Sequence, residues 1–350
     1  MILDLTRFEK HDYSVMDDLD FQLVNALQIS PRISWAQLGG VLHVDPSTLS
    51  RRWRRLVDEG VVWTSCSFRP QLSRLTPSQM MAIVEVGCTP GHREAVIQRL
   101  TEESPVASIH CTTGPRDLYL TVGARTLQEI DRYVDEQVAR VPGISSIQTH
   151  LIRTLFQEGS SWRVPALTSS QMRAVGATLP LRQPPKAPTE DHLQIIRALE
   201  DDVRRPVSEL HETLGKSLSS VSRGIEGLLN ADWVRWRVDF SFTEKGWTCG
   251  AMLWMSVNQS QIQKVSAAMR VLPQVRMCAS VTGEANLVVS TWLRAIEDLD
   301  EIENRLASFF EDVQIRDRWI IPRIAKIQGH VLDKSGRHSR YVPTNGGDDA

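Results

Sequence analysis

The chain contains an internal sequence repeat. Residues 17–63 and 189–235 share a pattern at a constant offset of 172 residues, without a gap. The matching pairs are Ala26-Leu27 with Ala198-Leu199, Arg32 with Arg204, Leu38 with Leu210, Leu42 with Leu214, Ser47 with Ser219, Ser50-Arg51 with Ser222-Arg223 and Leu56 with Leu228. A self-match at a fixed spacing indicates duplicated structural units. The fold must therefore contain two copies of one structural unit, and 350 residues are enough for about two to four domains.

Each copy begins with a pattern that predicts three short helices. Asp17–Ile29 carries a helical stripe of apolar residues, Ser34 opens a capping box, and Asp45-Pro46 reads as an N-cap followed by proline at the first helical position. Gly60 ends the third helix, and a β-rich stretch, Val61–Phe68, follows. This order is typical of a winged helix-turn-helix domain.

A different pattern follows each helical unit. In the first copy the predicted elements are strand 81–86, helix 91–101, strands 106–111 and 118–122, helix 127–141 and strand 144–155. In the second they are 251–257, 261–272, 275–280, 287–292, 295–310 and 313–326. The order βαββαβ predicts a ferredoxin-like α+β domain.

These patterns predict an α+β chain with two winged helix-turn-helix domains and two βαββαβ domains in tandem. The predicted segments are an N-terminal tail (1–16), a first winged helix-turn-helix (17–65), a first βαββαβ domain (66–160), a proline-rich linker (161–188), a second, degenerate winged helix-turn-helix (189–240), a second βαββαβ domain (241–328) and a flexible tail (329–350).

Composition restricts the function only weakly. The net charge of −2 gives no overall preference for nucleic acid, so that case must rest on local charge. The five cysteines are scattered singly, and we expect neither a metal site nor disulfides nor a cofactor. No run approaches 18 apolar residues and the N-terminus holds charges, so we expect a cytoplasmic protein without a membrane partner.

The third helix of the first copy is the candidate DNA reader. If Leu49, Trp53 and Leu56 are buried, as their spacing requires, Arg51 and Arg54 point outward. Arginines contact phosphates and guanine, and short hydroxyl residues let a helix enter the major groove. A solvated charged face is the simpler interpretation, but the position in a helix-turn-helix favours DNA binding. The candidate DNA-binding residues are Ser34, Ser47, Thr48, Ser50, Arg51, Arg52, Arg54 and Arg55.

The second copy keeps the buried positions but loses this face. Glu226 stands where Arg54 stood, while Gly224 and Gly227 replace Arg52 and Arg55. A carboxylate repels phosphates, and each glycine costs a helix about 1 kcal/mol. We therefore expect the second unit to be a structural partner that binds DNA weakly or not at all.

The first half resembles the Lrp/AsnC family of feast/famine (leucine-responsive) transcription regulators. The residues that carry the resemblance lie in 17–122, and the same unit is matched more faintly over 189–328. They are Asp20, Leu27, Gln28, Arg32-Ile33-Ser34, Leu38, Pro46-Ser47, Arg51-Arg52, Arg55-Leu56, Glu59-Gly60-Val61, Val106, His110, Thr113-Gly114, Asp117 and Leu118.

The resemblance implies a DNA-binding transcription regulator that forms a homodimer or higher oligomer through βαββαβ (RAM-type) domains. It also implies a small-molecule effector, commonly an amino acid, at a Gly-x-x-Asp turn. In this chain the candidate effector-binding residues are Thr113, Gly114 and Asp117 in the first copy and Thr282, Gly283, Glu284 and Asn286 in the second. Pro115 and Asn286 depart from the family pattern, so the two sites should differ. A tight turn that needs glycine for its shape alone is an equally good interpretation.

Two other function classes stay open. Sirohaem decarboxylases share this architecture, but that resemblance would demand a His-Asn-Tyr-x-Arg run, whereas this chain has His110-Cys-Thr-Thr-Gly114 and Cys278-Ala-Ser-Val-Thr282. A co-regulator that acts through its sheets without DNA is the other. We expect a regulator rather than an enzyme, with one reading helix per chain and therefore two chains on a palindromic site.

Overall fold

The computed structural model describes residues 15–68, 80–181 and 187–344. The first helical unit contains α1 (Asp18–Ile29), α2 (Trp35–Leu42), α3 (Pro46–Asp58) and strand β1 (Val62–Phe68). Each helix begins as expected, because Asp17, Ser34 and Asp45 each accept a hydrogen bond from a backbone N–H of the first turn. Of the predicted tail 1–16, residues 1–14 lie outside the described part.

The first βαββαβ domain has the predicted order. Its elements are β2 (Met80–Cys88), α4 (Arg93–Thr101), β3 (Val106–Cys111), β4 (Leu118–Ala124), α5 (Leu127–Tyr133, continued by a π-helical turn at Val134–Val138) and β5 (Ile144–Gln157). Along β2, Ala82 and Val84 pack beneath the helices, whereas Ile83 and Glu85 point to the other face, as the twofold alternation of a strand requires.

The predicted linker 161–188 is more ordered than a proline-rich spacer. It contains helix α6 (Ser169–Gly176), and its side chains Trp162, Val164 and Leu167 are buried. Asn25 and Gln28 of α1 accept hydrogen bonds from its backbone, for example from the N–H of Leu167 at 3.0 Å. The linker therefore packs on the first helical unit. Residues 182–186, which include two of the prolines, lie outside the described part.

The second copy repeats both patterns. Its helical unit contains α7 (Glu190–Arg197), α8 (Val207–Leu214), α9 (Leu218–Leu229) and strand β6 (Val234–Phe240). Its βαββαβ domain contains β7 (Cys249–Ser256), α10 (Ile262–Arg270), β8 (Val275–Val281), β9 (Leu287–Leu293), α11 (Asp298–Phe309) and β10 (Gln314–Ile321). Three further strands follow, β11 (Arg323–Ile327), β12 (His330–Leu332) and β13 (His338–Tyr341).

The wing strands of the two helix-turn-helix units pair with each other, and one prediction needs correction here. In the described residues β1 pairs antiparallel with β6 of the other copy, Val62 opposite Phe240 and Phe68 opposite Val234. One strand per unit needs a partner for its backbone groups, and the duplicate supplies it. The tail predicted to be flexible (329–350) instead forms the β12–β13 hairpin, which extends the sheet beyond β11. Residues 345–350 lie outside the described part.

The two βαββαβ domains form one continuous antiparallel arrangement. β5 pairs with β2 in its own domain and continues onto β8 of the second domain, while β11 returns from the second domain to pair with β3 of the first. The open faces of the two domains meet: Tyr119 of β4 lies against Trp319 of β10 with ring centroids 5.8 Å apart, and His150 of β5 lies against Trp254 of β7 at 4.6 Å. The duplicated halves therefore pair within one chain.

Candidate functional site

Helix α3 is oriented as the apolar spacing predicts. Leu49, Trp53 and Leu56 are buried, and Arg51, Arg54 and Arg55 are exposed. At the N-terminus Asp45 accepts hydrogen bonds from the backbone N–H and the hydroxyl of Ser47, and the hydroxyl bond lowers the pKa of the Asp45 carboxyl. The capped end and Ser47 face solvent together.

Two of the four candidate arginines are paired with acids. Arg52 lies 2.7 Å from Asp17 and 3.0 Å from Asp20, and Arg55 lies 2.7 Å from the other oxygen of Asp20. Asp20 is completely buried between α1 and α3. Arg52 and Arg55 therefore fasten α3 to α1, and sequence reasoning missed this role. The signal was present, because two acids open α1 and two arginines stand three residues apart on α3.

The free cationic face is smaller than predicted. In the described part of the chain, Arg51 and Arg54 form no ion pair. The charge of Arg51 contributes to the lowered pKa of the Asp45 carboxyl. Ser34 caps α2 in a box with Gln37 and remains exposed, while Thr48 and Ser50 are half-buried along α3. The structure thus brings Ser47, Arg51 and Arg54 together on one outward surface, which we call the α3 face.

Helix α9 has the predicted buried stripe but a different exterior. Val221, Ile225 and Leu228 are buried. A Cβ on Gly224 would lie 2.5 Å from the Ile195 side chain, so this glycine allows α7 to approach α9 closely. Arg223 is exposed but donates a hydrogen bond to the carbonyl of its own helix at Ser219. Gly224 thus has a packing reason in addition to the loss of a basic face.

The two helical units are joined by a reciprocal pair of arginines. Arg32 donates to the carbonyls of Val203 and Arg205, at 2.5 and 3.0 Å. Its duplicate Arg204 donates to the carbonyls of Pro31 and Ile33, at 2.8 and 3.1 Å, and stacks over Trp35. Burial lowers the pKa of Arg204 to about 10. These residues set the position of α3 relative to α9.

The predicted effector turns both lie at the seam between the two sheets. The N–H of Thr113 donates to the carbonyl of Ile320, and that of Thr282 donates to the carbonyl of Leu151. The two donors are as far apart in sequence as the two acceptors. The turns are therefore equivalent positions of the two copies and are related by the internal pseudo-twofold symmetry. Gly114 and Gly283 have φ values of +97° and +121°, which favour glycine.

Asp117 and Asn286, which occupy the acidic position of each turn, form hydrogen bonds with backbone groups. Asp117 accepts the N–H of Cys88 at 2.7 Å, and Asn286 exchanges two hydrogen bonds with the backbone of Val257. Thr113, Gly114, Thr282, Gly283 and Glu284 are the exposed members of the two sets. Asp117 and Asn286 therefore shape their turns, and the exposed residues are the ones that solvent reaches.

An ionic network that was not anticipated from the sequence lies between the two turns. Arg116 binds Glu85 at 2.6 Å and Asp317 at 2.8 Å, and its guanidinium lies over the ring of Trp319. The other oxygen of Glu85 lies 2.8 Å from Nε2 of His150, whose Nδ1 faces the carbonyl of Thr282. This network connects the first turn to the second, and it makes their surroundings unlike.

Other chemistry-bearing groups are isolated. Among the described residues no group of three or more His, Cys, Asp or Glu side chains is arranged to hold a metal ion, and the five cysteines are unpaired. Every helix in those residues is too short or too polar to span a bilayer. His110 is half-buried and stacks on Tyr119, with ring centroids 4.3 Å apart, and desolvation lowers its pKa to about 3.

Similarity to known proteins falls into two kinds. The chain is 26% identical over 148 residues to an uncharacterized HTH-type transcriptional regulator of Pyrococcus horikoshii, covering 41% of this chain and 90% of that protein. It is 24% identical over 159 residues to the leucine-responsive regulatory protein of Haemophilus influenzae, covering 43% and 92%. Such relatives match the chain over less than half its length.

Two solved structures of one protein are similar to almost the whole chain. A crystal structure of the siroheme decarboxylase NirDL aligns with a TM-score of 0.57 over 91% of this chain and 96% of that one, at 13% identity. NirDL in complex with an iron-uroporphyrin III analogue aligns equally well, at 14% identity. At this identity the likeness shows a shared fold.

Family models match three segments. The AsnC-type helix-turn-helix domain matches residues 16–57, and the Lrp/AsnC ligand binding domain matches residues 81–159 and 250–315. The second helical unit is defined by its three helices in the structure. The chain belongs to the Lrp/AsnC family, with an AsnC-type helix-turn-helix at its N-terminus and two ligand-binding domains.

Proposed function

We propose that the chain is a DNA-binding transcription regulator that reads DNA with the α3 face and uses the second helical unit as a scaffold. The observation that carries this proposal is the pair of exposed arginines, Arg51 and Arg54, beside Ser47 at the capped end of α3. Arginine and a helix N-terminus are the groups that bind phosphates and guanine edges. On α9 the position of Arg54 is taken by Glu226.

Pairing within the chain changes the expected DNA site. Because β1–β6 and the reciprocal arginines hold both helical units on one platform, one chain carries the two positions that a homodimer would use. One chain then recognises a single specific half-site. The flanking DNA is contacted through its phosphate backbone or is not contacted. Two chains would read a palindrome.

Selection of bound duplexes from a randomised DNA pool by the purified chain tests this proposal. We expect an enriched motif that spans one half-site, and a binding constant that falls with salt by about 0.9 logarithmic units for each phosphate contacted. Recovery of no enriched motif, with no salt-dependent binding, would refute a DNA-reading function. A motif with two equal half-sites at the spacing of one chain would refute the asymmetric form.

A small-molecule effector at the exposed turn residues completes the proposal. Glu284 is exposed in the second turn and lies 3.9 Å from Arg316, so its carboxylate can accept hydrogen bonds from the ammonium group of a ligand. Thermal unfolding in the presence of each amino acid would find such a ligand. We expect Glu284→Gln to lose the stabilisation and Glu297→Gln, on the same domain, to keep it. Retention by both variants would remove Glu284 from the site.

A sirohaem-decarboxylase-like enzyme is the second candidate, because the full-length fold match favours it over any regulator matched on one half alone. The side chains of this protein argue against that enzyme. The His-Asn-Tyr-x-Arg run that such an enzyme would demand is absent at the second strand. His110 packs against Tyr119, and burial lowers the pKa of His110 to about 3. The cleft beside α4 and the cleft between the helical units each measure about 200 Å³, whereas ligand sites usually measure about 300–1,000 Å³.

An optical titration with an iron tetrapyrrole separates the two candidates. We expect no saturable change in the tetrapyrrole absorption band on adding the chain. Tight stoichiometric binding, with release of carbon dioxide from a carboxylated tetrapyrrole, would favour the enzyme and overturn the proposal. The same preparation should be assayed for DNA binding, so that an inactive sample is recognised.

A further inference from the structure

The hairpin β12–β13 connects the first βαββαβ domain to the end of α3. On one side it continues β11, which pairs with β3, and the N–H of Gly329 donates to the carbonyl of Ala107. On the other side the N–H of His338 donates to the carbonyl of Gly60 at 2.8 Å. Gly60 lies in the short connection between α3 and β1, next to the C-cap Glu59, so the hairpin fixes the base of the helix that carries the α3 face.

Two unsatisfied histidines lie at the centre of this contact. His330 is 1% exposed, and its ring lies 4.8 Å from that of His338, centroid to centroid. Both rings pack on Trp63 of β1, and His330 also packs on Tyr341. Within the described residues, neither ring nitrogen of His330 nor Nε2 of His338 has a hydrogen-bond partner of normal geometry. A buried imidazole without a well-formed hydrogen bond has little to offset the cost of protonation.

The charged groups around the pair do not compensate. His330 faces Asp239 and Arg237 from β6, together with His338, and the backbone of Thr64 favours its charged form weakly. Asp239 is already paired with Arg237 at 2.9 Å and with Arg276 at 3.1 Å. His338 faces Asp201 and the backbone of Arg340. Burial therefore dominates, and it lowers the pKa of His330 to about 3 and that of His338 in the same direction.

We propose that the β12–β13 hairpin is an acid-releasable clasp, in which protonation of His330 and His338 detaches the hairpin from β1 and frees the base of α3. The closed form binds fewer protons than the open form, in which each histidine regains its ordinary affinity for a proton. Closure is therefore complete above about pH 6.5 and weakens as the pH falls below that value. Between about pH 7.5 and about pH 5.5, His330 alone should raise the opening constant about tenfold, and His338 adds in the same direction.

Amide hydrogen exchange on the free full-length chain tests the clasp without reference to DNA. After correction for the intrinsic effect of pH on exchange, we expect peptides covering 57–64 and 330–342 to lose protection about tenfold or more between about pH 7.5 and about pH 5.5. Peptides from β2 and β7 should keep theirs. Unchanged protection of the hairpin, or an equal loss throughout the chain, would overturn the proposal.

Variants identify the groups responsible. The double substitution His330→Phe, His338→Phe retains two buried rings that cannot titrate, and it should abolish the pH-dependent loss of protection. His43→Asn is the matched control, since His43 is exposed and has a left-handed backbone that asparagine tolerates; it should respond as the parent does. If the double variant is destabilised at neutral pH, His330→Gln alone should reduce the loss of protection to the part that His338 contributes. A pH response that persists in full in either variant would overturn the assignment.

Discussion

At the scale of single residues, the arginines of α3 have two different tasks. Arg52 and Arg55 hold the buried carboxylate of Asp20, whereas Arg51 and Arg54 face solvent. The apolar spacing correctly predicted which residues point outward, because helical geometry fixes direction. It did not predict the ion pairs, because they depend on how α1 crosses α3. Sequence distance carries no information on that crossing.

This division predicts opposite effects for two neighbouring substitutions. Arg52→Ala leaves Asp20, which has no exposed surface, with one cationic partner, and should lower the free energy of unfolding by about 1–3 kcal/mol. Arg54→Ala removes an exposed side chain and should change that free energy by less than about 0.5 kcal/mol. Urea unfolding measures both. Equal stability of the two variants would contradict the assignment of Arg52 to the α1–α3 contact.

The turn residues likewise show that sequence predicts local conformation but not tertiary partners. Gly114 and Gly283 adopt the left-handed conformations that a Gly-containing turn predicts. The carboxylate of Asp117 is occupied by a backbone N–H of the neighbouring strand, a contact between segments that are not adjacent in sequence. Residue type thus indicates that a turn is special, while the partners of its side chains come from the tertiary fold.

At the scale of elements, duplicated positions form reciprocal contacts. Arg32→Ala and Arg204→Ala should each lower the free energy of unfolding by about 2–4 kcal/mol, because each leaves two carbonyl groups of the opposite unit without a donor. The double variant should cost less than the sum, since either change loosens the same interface. Arg173→Ala, an exposed substitution on α6, is the control for chemical denaturation. Additive effects would mean that the two contacts are independent.

The junction of α3 with the C-terminal hairpin gives a sharper element-scale prediction. In Gly60→Ala the added Cβ would lie 2.3 Å from the carbonyl oxygen of His338, at a φ of +66°. Gly215→Ala is a matched control, because its φ is +62° and nothing lies within 4 Å of the added atom. The control should cost about 1–2 kcal/mol for its left-handed backbone, and Gly60→Ala about 3 kcal/mol or more. Equal thermal midpoints would contradict the hairpin contact.

At the scale of the whole molecule, duplication predicted the number and order of domains but not their pairing. Three helices followed by βαββαβ, twice, follow from local patterns of apolar residues and caps, and the structure has this order. That β1 pairs with β6, and that β5 and β11 cross between domains, depends on which partner completes a strand. The hairpin β12–β13 was missed because its strands are short and polar, and their stability comes from buried Leu332, His330 and Val342.

The central claim is that one helix of a symmetric platform reads DNA. Gel-shift titration of Arg51→Ala, Arg54→Ala and Arg223→Ala on the selected duplex, at several salt concentrations, tests it most directly. We predict that each α3 substitution weakens binding by about fivefold or more and that each lost phosphate contact reduces the salt slope by about 0.9. We predict that Arg223→Ala, at the duplicate position of α9, leaves both unchanged. Equal losses from α3 and α9 would contradict the asymmetry, and no loss from either would show that these helices do not bind DNA.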